Sequence, residues 1–240
     1  MKNLNKIILT TALCVASSFA NANPGNTWYA GLALGGDAWQ NSKTSSVKMT
    51  SGDSSGQTLP LKSQSDSQFA FAGGFVFGAA QESQQLFLAE QVELLYQTVD
   101  NQIDKKSNDT ASFINHVEET QAPTAVIALL PGLVLNRNWV LYAKLGYAVS
   151  QFESNGTNSG IFGPLGDQTQ LISGLQAGIG LQRHFPKRWT LRAEYDYTNY
   201  GSFSLTGKND AGIPGGAGGI VKTNYTINTN QLMLNAIYSF

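Results

Sequence analysis

The chain has 240 residues, with 15 Lys and Arg against 16 Asp and Glu, 13% charged residues, 42% hydrophobic residues, 25 glycines and one cysteine. A soluble globular protein carries roughly twice that charged fraction, yet no window reaches the ~18 uncharged apolar residues of a spanning helix, so a helical membrane protein is excluded. Near-neutral charge removes the basic footprint of a nucleic-acid binder, and 10% aromatic residues argue against a disordered chain.

Lys2 and Lys6 precede an apolar core at 7–16, and Ala20-Asn21-Ala22 has the small-x-small spacing of a cleavage site. Residues 1–22 are read as a secretory signal peptide and 23–240 as the mature domain. Cys14 lies within the apolar core behind the bulky Leu13, a poor setting for lipoprotein processing. The mature chain then has no cysteine, and backbone pairing and packing must hold it together.

Eight segments alternate apolar with polar or small residues at a period of two. The first is 28–39. In the second, 68–79, Phe69, Phe71, Phe75 and Phe77 share one face while Ala70, Ala72, Gly74 and Gly78 share the other. The third, 86–97, holds Glu90 and Glu93 at opposite parity; Leu86, Leu88, Val92 and Leu94 side with Glu90, which makes Glu93 the inward residue unless a bulge reverses them. The fourth, 124–135, contains Pro131, which cannot donate a ladder bond and predicts a bulge or register adjustment. In the fifth, 139–152, Lys144 shares a face with Gly146 and Ser150, opposite Leu141, Leu145, Tyr147 and Val149. The sixth, 170–185, sets Gly174, Gln176, Gly178, Gly180 and Gln182 against Leu175, Ala177, Ile179 and Leu181. The seventh, 189–200, sets Arg192, Glu194, Asp196 and Thr198 against Leu191, Ala193, Tyr195 and Tyr197. The eighth is 226–240.

Tight turns follow the even strands, at 82–84, 136–138 and 186–188, and long polar segments follow the odd ones, at 40–67, 98–120, 153–168 and 201–225. All short turns therefore fall at one end of the sheet, the layout of a transmembrane β-barrel. A soluble lipocalin-like barrel has a similar meander but keeps its apolar face inside, whereas here the charged and amide face suits a packed interior and the apolar face suits lipid. Unpaired edges in hydrocarbon cost several kcal/mol per group, so the sheet must close. The expected fold is all-β, an eight-stranded antiparallel up-and-down transmembrane barrel. Aromatic belts mark both ends: Trp28, Phe87, Trp139, Trp189, Tyr238 and Phe240 at the short-turn end, and Trp39, Phe69, Tyr96, Phe152, Tyr200 and Tyr225 at the other.

The stretch from Pro131-Gly132-Leu133 through Asn138-Trp139 to Leu145-Gly146-Tyr147 resembles the fourth and fifth strands of the OmpA-type outer-membrane barrel. Leu191-Arg192-Ala193-Glu194-Tyr195-Asp196-Tyr197-Thr198-Asn199 is similar to that family's seventh strand. Tyr238-Ser239-Phe240 looks like the carboxy-terminal signal read by the outer-membrane assembly machinery. The founding type adds a periplasmic peptidoglycan-binding domain, for which this sequence, ending at Phe240, shows no counterpart, and it is closer to the opacity, OmpX and Ail-like surface proteins. The resemblance implies a salt-bridged interior plug with Arg192 and Glu194 as members; parity adds Lys144, Asp196 and Glu93.

Catalysis has little to draw on. His116 lies in a long loop and His184 beside the Phe185-Pro186 turn, neither with a serine two residues away to activate. No histidine cluster or thiolate offers a transition-metal site. Asp100, Asp104 and Asp109 lack EF-hand spacing, and the glycine run 212–219 reads as a flexible loop, so no cofactor or metal is expected. Lys43, Lys48, Lys62, Lys105, Lys106, Lys208 and Lys222 stand in the long segments, to pair with lipopolysaccharide phosphates or an acidic host surface, or simply to be solvated. The function expected is a non-enzymatic surface barrel of a Gram-negative outer membrane whose four loops contact the environment or a host factor; the alternative is a small-solute channel of porin type.

Overall fold

The computed structural model describes residues 27–49, 56–60, 64–97, 100–104, 115–121, 123–158, 168–213 and 217–240. The signal-peptide reading of 1–22 lies outside them, as do Lys62, Lys105, Lys106 and Asp109. Among the described residues, eleven strands form one sheet: β1 (Thr27–Met49), β2 (Thr58–Pro60), β3 (Gln64–Glu82), β4 (Leu86–Gln97), β5 (Asp100–Asp104), β6 (Asn115–Gln121), β7 (Thr124–Asn136), β8 (Trp139–Asn158), β9 (Gln168–His184), β10 (Trp189–Ile213) and β11 (Ala217–Ser239). Eight of them close a ring in the order β1-β3-β4-β7-β8-β9-β10-β11, every pair antiparallel, and these are the eight strands expected from the alternation.

One ladder row, followed around the ring, passes Gly78, Gln91, Ala128, Gly146, Gln176, Thr198, Thr229 and Trp39, and returns to β3 at Gln68, ten residues from its start. That stagger is the shear of a tilted-strand barrel, and eight strands leave an interior that side chains fill.

The short turns gather at one end because their residues satisfy their own backbone. Asn136 Oδ1 accepts from the Asn138 and Trp139 amides at 2.9 and 3.1 Å, an Asx turn. Ser83 and Leu86 exchange backbone and hydroxyl bonds across the turn between β3 and β4. Around Pro186–Arg188 the chain makes a single 3-10 turn with Lys187 and Arg188 at positive φ. The Phe240 amide donates to the Trp28 carbonyl at 2.9 Å, so the first and last strands end together there.

The other end departs from the expected loops. Among the described residues, pairing of β3 with β4 ends at Ala72 and Gln97, and pairing of β9 with β10 ends at Leu175 and Asn199. Beyond these points the wall divides into two four-stranded sheets, β3-β1-β11-β10 and β5-β6-β8-β9. Much of 40–67, 153–168 and 201–225 is therefore strand, because a segment rich in Ser, Thr and Asn still pairs when a partner already in register offers its ladder; strand propensity yields to that context. Gly218 and Gly219, expected in a flexible loop, belong to β11, and Gly219 pairs with Asn209.

The bulge expected at Pro131 is elsewhere. The register of β7 against β8 is the same at Leu129 and Gly132, and the shift falls between Val134 and Asn136, beside the turn. A missing amide interrupts one side of the ladder locally without displacing the strand. A second shift, on β10, lies between Asn199 and Ser202 and centres on Gly201 at φ 70°. No atom lies within 4 Å of where a Gly201 Cβ would sit, so Gly201→Ala should cost only the left-handed backbone term, about 1–2 kcal/mol. Urea unfolding in lipid vesicles checks this; an unchanged midpoint would show that the residue does not need the left-handed region.

Candidate functional site

Inward and outward faces alternate over most of the ring. Outward positions carry Leu32, Leu34, Phe75, Leu129, Leu145, Leu175, Ile179, Leu232 and Leu234, all exposed. A continuous apolar band of this size does not face water; it is the lipid face. Glu90 is exposed on that side and Glu93 is buried.

The interior brings the sequence-selected charges together. Lys144 Nζ lies 2.8 Å from Asp196 Oδ2 and 3.2 Å from Glu194 Oε2, and also pairs with Glu93. Tyr142 Oη donates to Glu194 Oε1 at 2.6 Å. All of these groups are buried. Arg192 sits beside them but is not bridged to a carboxylate: Nε donates to Gln182 Oε1 at 2.8 Å and Nη1 to Gln91 Oε1 at 2.5 Å, with the guanidinium 4.7 Å from the Tyr29 ring centroid and 5.6 Å from that of Tyr142. Gln91 in turn donates to Glu93 Oε1 at 2.6 Å, so an amide relays Arg192 to the cluster. Its planar fork suits amides and aromatic faces together. Gln182 lies on the polar face that the alternation assigned to it, whereas Tyr29, Gln91, Asp37 and Gln231 belong to this interior and were not singled out from sequence; the parity of Asp37 along β1 would have found Tyr29, Ala33 and Asn41 beside it.

The aromatic belts need correction. Trp189 packs edge-on against Tyr238 at 5.4 Å, both exposed with Phe240, and Trp28 and Trp139 are half-buried at the same short-turn end. Phe87 instead points inward. At the far end only Phe69 and Tyr96 face out. Trp39 is 1% exposed, and Phe152, Tyr200 and Tyr225 are buried with it. Trp39 has the parity of Asp37, so its Cβ must point into the barrel. These rings form an aromatic plug joining the two outer sheets: Phe152 of β8 stacks on Trp39 of β1 at 6.3 Å and meets Phe203 and Tyr225 at 5.3 Å each.

The polarity of the wall thus inverts along the barrel axis. Below the plug, polar groups point in and apolar groups out. Above it, Phe203 and Leu205 pack inward while Ser202, Ser204 and Thr206 are exposed. The Gly201 shift makes the switch on β10, moving the inward set from even to odd residues. Lys43 follows the inner face, 5.9 Å over the Tyr225 ring, while Lys48 and Lys222 are exposed.

At the short-turn mouth a cavity of about 520 Å³ is lined by His184, Glu82, Thr190 and Arg188, with Arg192 at its floor. His184 Nε2 is 3.1 Å from Glu82 Oε1, and Nδ1 is 3.0 Å from Thr190 Oγ1. His116 lies on β6, at the opposite end.

The family model described as "Outer membrane protein beta-barrel domain" matches residues 7–240. No curated protein matches the sequence. Among solved structures, the chain is similar to Ail, the attachment invasion locus protein of Yersinia pestis, at 14% identity over 88% of this chain and 98% of that one, with a TM-score of 0.41. Neisserial surface protein A gives 12% identity over 85% and 97%, with a TM-score of 0.36. The toluene transporter TodX of P. putida gives 9% over 93% and 92%, with a TM-score of 0.28. Likenesses this distant do not bear on what the chain binds. The closed eight-stranded ring, its polar core, its apolar outer band and the family match across nearly the whole sequence agree: this chain belongs to the outer membrane protein β-barrel domain family.

Proposed function

We propose that the protein is a non-enzymatic surface barrel whose outer sheets and their tips meet the environment or a host factor. The observation that carries this reading is the filled bore: the Lys144 cluster and the aromatic plug occupy the interior in succession, and the polar outward faces of Ser202, Ser204 and Thr206 suit an extension that stands in water. Binding residues are commonly displayed on such segments above a rigid scaffold. Among the described residues, Lys48 and Lys222 are exposed cations placed to meet lipopolysaccharide phosphate or an acidic host surface, whereas Lys43 is turned away from it. In this reading His184 is a turn-end residue tied to its neighbours Thr190, Gln182 and Glu82. Delivery is by the segment 1–22, and the exposed Tyr238 and Phe240 are the residues offered to the assembly machinery.

The test has two arms. Planar-bilayer recording of the refolded barrel should give no reproducible unitary conductance, and shortening the β10–β11 hairpin beyond Thr206 should abolish binding to host cells or serum factors. Steady unitary currents would favour the porin-type channel, and a lipid A deacylation assay returning activity would overturn the non-enzymatic reading.

A further inference from the structure

The cavity at the short-turn mouth stands apart from the outer sheets. Its volume, about 520 Å³, falls within the range of small-molecule sites, which barrels commonly place in their mouths. Arg192 lies at its floor, the Lys144 cluster behind that, and the aromatic plug farther still. A solute entering between the short turns therefore meets a blind pocket.

The lining divides by chemistry. Phe87, Trp189 and Ile237 supply apolar wall, with Phe87 and Ile237 buried on the inward face. Two guanidiniums also line the cavity: Arg188 from the exposed turn at the rim and Arg192 from the floor. Arginine stays protonated in proteins. Among the described residues, Glu82 is the carboxylate of the lining, and it lies 3.1 Å from His184 Nε2. Ionised or neutral, Glu82 offsets at most one of the two cations, so the lining is positive in either state. The acids behind the floor are engaged elsewhere. Glu194 bonds Lys144 and Tyr142, and Glu93 meets Arg192 only through Gln91. A cleft of one sign between low-dielectric walls concentrates the opposite charge. Arg192 is also fixed in advance, its Nε held by Gln182 at 2.8 Å, which lowers the ordering cost of binding.

We propose that this cavity binds a small organic acid, one carboxylate on an aromatic or other flat apolar body, with the carboxylate toward Arg188 and Arg192 and the body between Phe87, Trp189 and Ile237. The guanidinium fork matches the two oxygens of a carboxylate, and aromatic walls receive a ring edge-on or offset. The blind floor makes this a site of capture and not of passage. The site depends on the filled bore and is independent of what the outer sheets contact.

Benzoate tests it in the full barrel refolded into detergent micelles. The chain has two histidines, and they report separately: His184 lines the cavity, whereas His116 lies on β6 at the opposite end. In NMR spectra of the histidine rings, benzoate should shift the His184 signals saturably and leave those of His116 in place. Benzamide keeps the ring without the charge, and inorganic phosphate keeps the charge without the ring; each should bind about tenfold or more weakly than benzoate. Arg188→Gln should weaken benzoate binding by about tenfold, the loss expected when one charged donor is removed. Ala80→Phe, which sets a ring into the cavity, should abolish it. Heat-modifiable gel migration verifies each variant's fold, and Arg188→Gln, in an exposed turn, carries the comparison should Ala80→Phe not refold. The site is overturned by no saturable shift at His184, by equal shifts at both histidines, by benzamide or phosphate binding as tightly as benzoate, or by unchanged affinity in Arg188→Gln.

Discussion

Replacing Lys144 with Met is expected to destabilise the barrel by about 3–5 kcal/mol, because it strands Glu93, Glu194 and Asp196 as buried carboxylates with no direct cation. Neutralising those acids in the same chain, as Glu93→Gln, Glu194→Gln and Asp196→Asn, should recover most of the loss, since a buried ion cluster and an uncharged replacement of equal shape are close in energy. Urea unfolding in vesicles, followed by tryptophan fluorescence, compares the two; equal losses would sink the pairing. Arg192→Leu should cost less, because its hydrogen-bond partners Gln91 and Gln182 are neutral amides.

One position along β8, the outcome should depend on the opposite solvent. Leu145→Arg places a charge near the middle of the exposed apolar band and is expected to cost about 2–4 kcal/mol. Thr206→Arg, also outward but beyond the Gly201 shift, should change stability by no more than about 0.5 kcal/mol. If both substitutions cost the same in vesicles, the lipid boundary does not lie between them.

These contrasts are partly legible in the sequence alone. Wherever a charge stood in a strand with a clear apolar face, as at Lys144, Arg192 and Glu93, period two assigned the inward side. Trp39 escaped because an aromatic near a strand end suits a lipid girdle and a barrel interior equally well; only its shared parity with Asp37 distinguishes them. The two outer sheets were illegible for a different reason. Ser, Thr, Asn and Gly spell loop in isolation, and whether such a segment pairs depends on the ladder beneath it, which is a property of eight strands together. The Gly201 shift could not be read either, because one added residue exchanges the two faces without altering composition.

The plug also bears on how the barrel resists coming apart. Its rings come from β1, β8, β10 and β11, on both outer sheets, so they can meet only after those hairpins have been carried through the bilayer. Contacts made after the rate-limiting step slow escape from the folded state without hastening arrival. Trp39 and Phe152 then act as a latch: retraction of any hairpin that carries a plug ring has to break aromatic stacking on the outer side before polar outer faces can re-enter hydrocarbon. Truncating either ring should shorten the folded lifetime and leave the insertion rate nearly unchanged, which places the barrel's persistence in a cluster that never touches lipid.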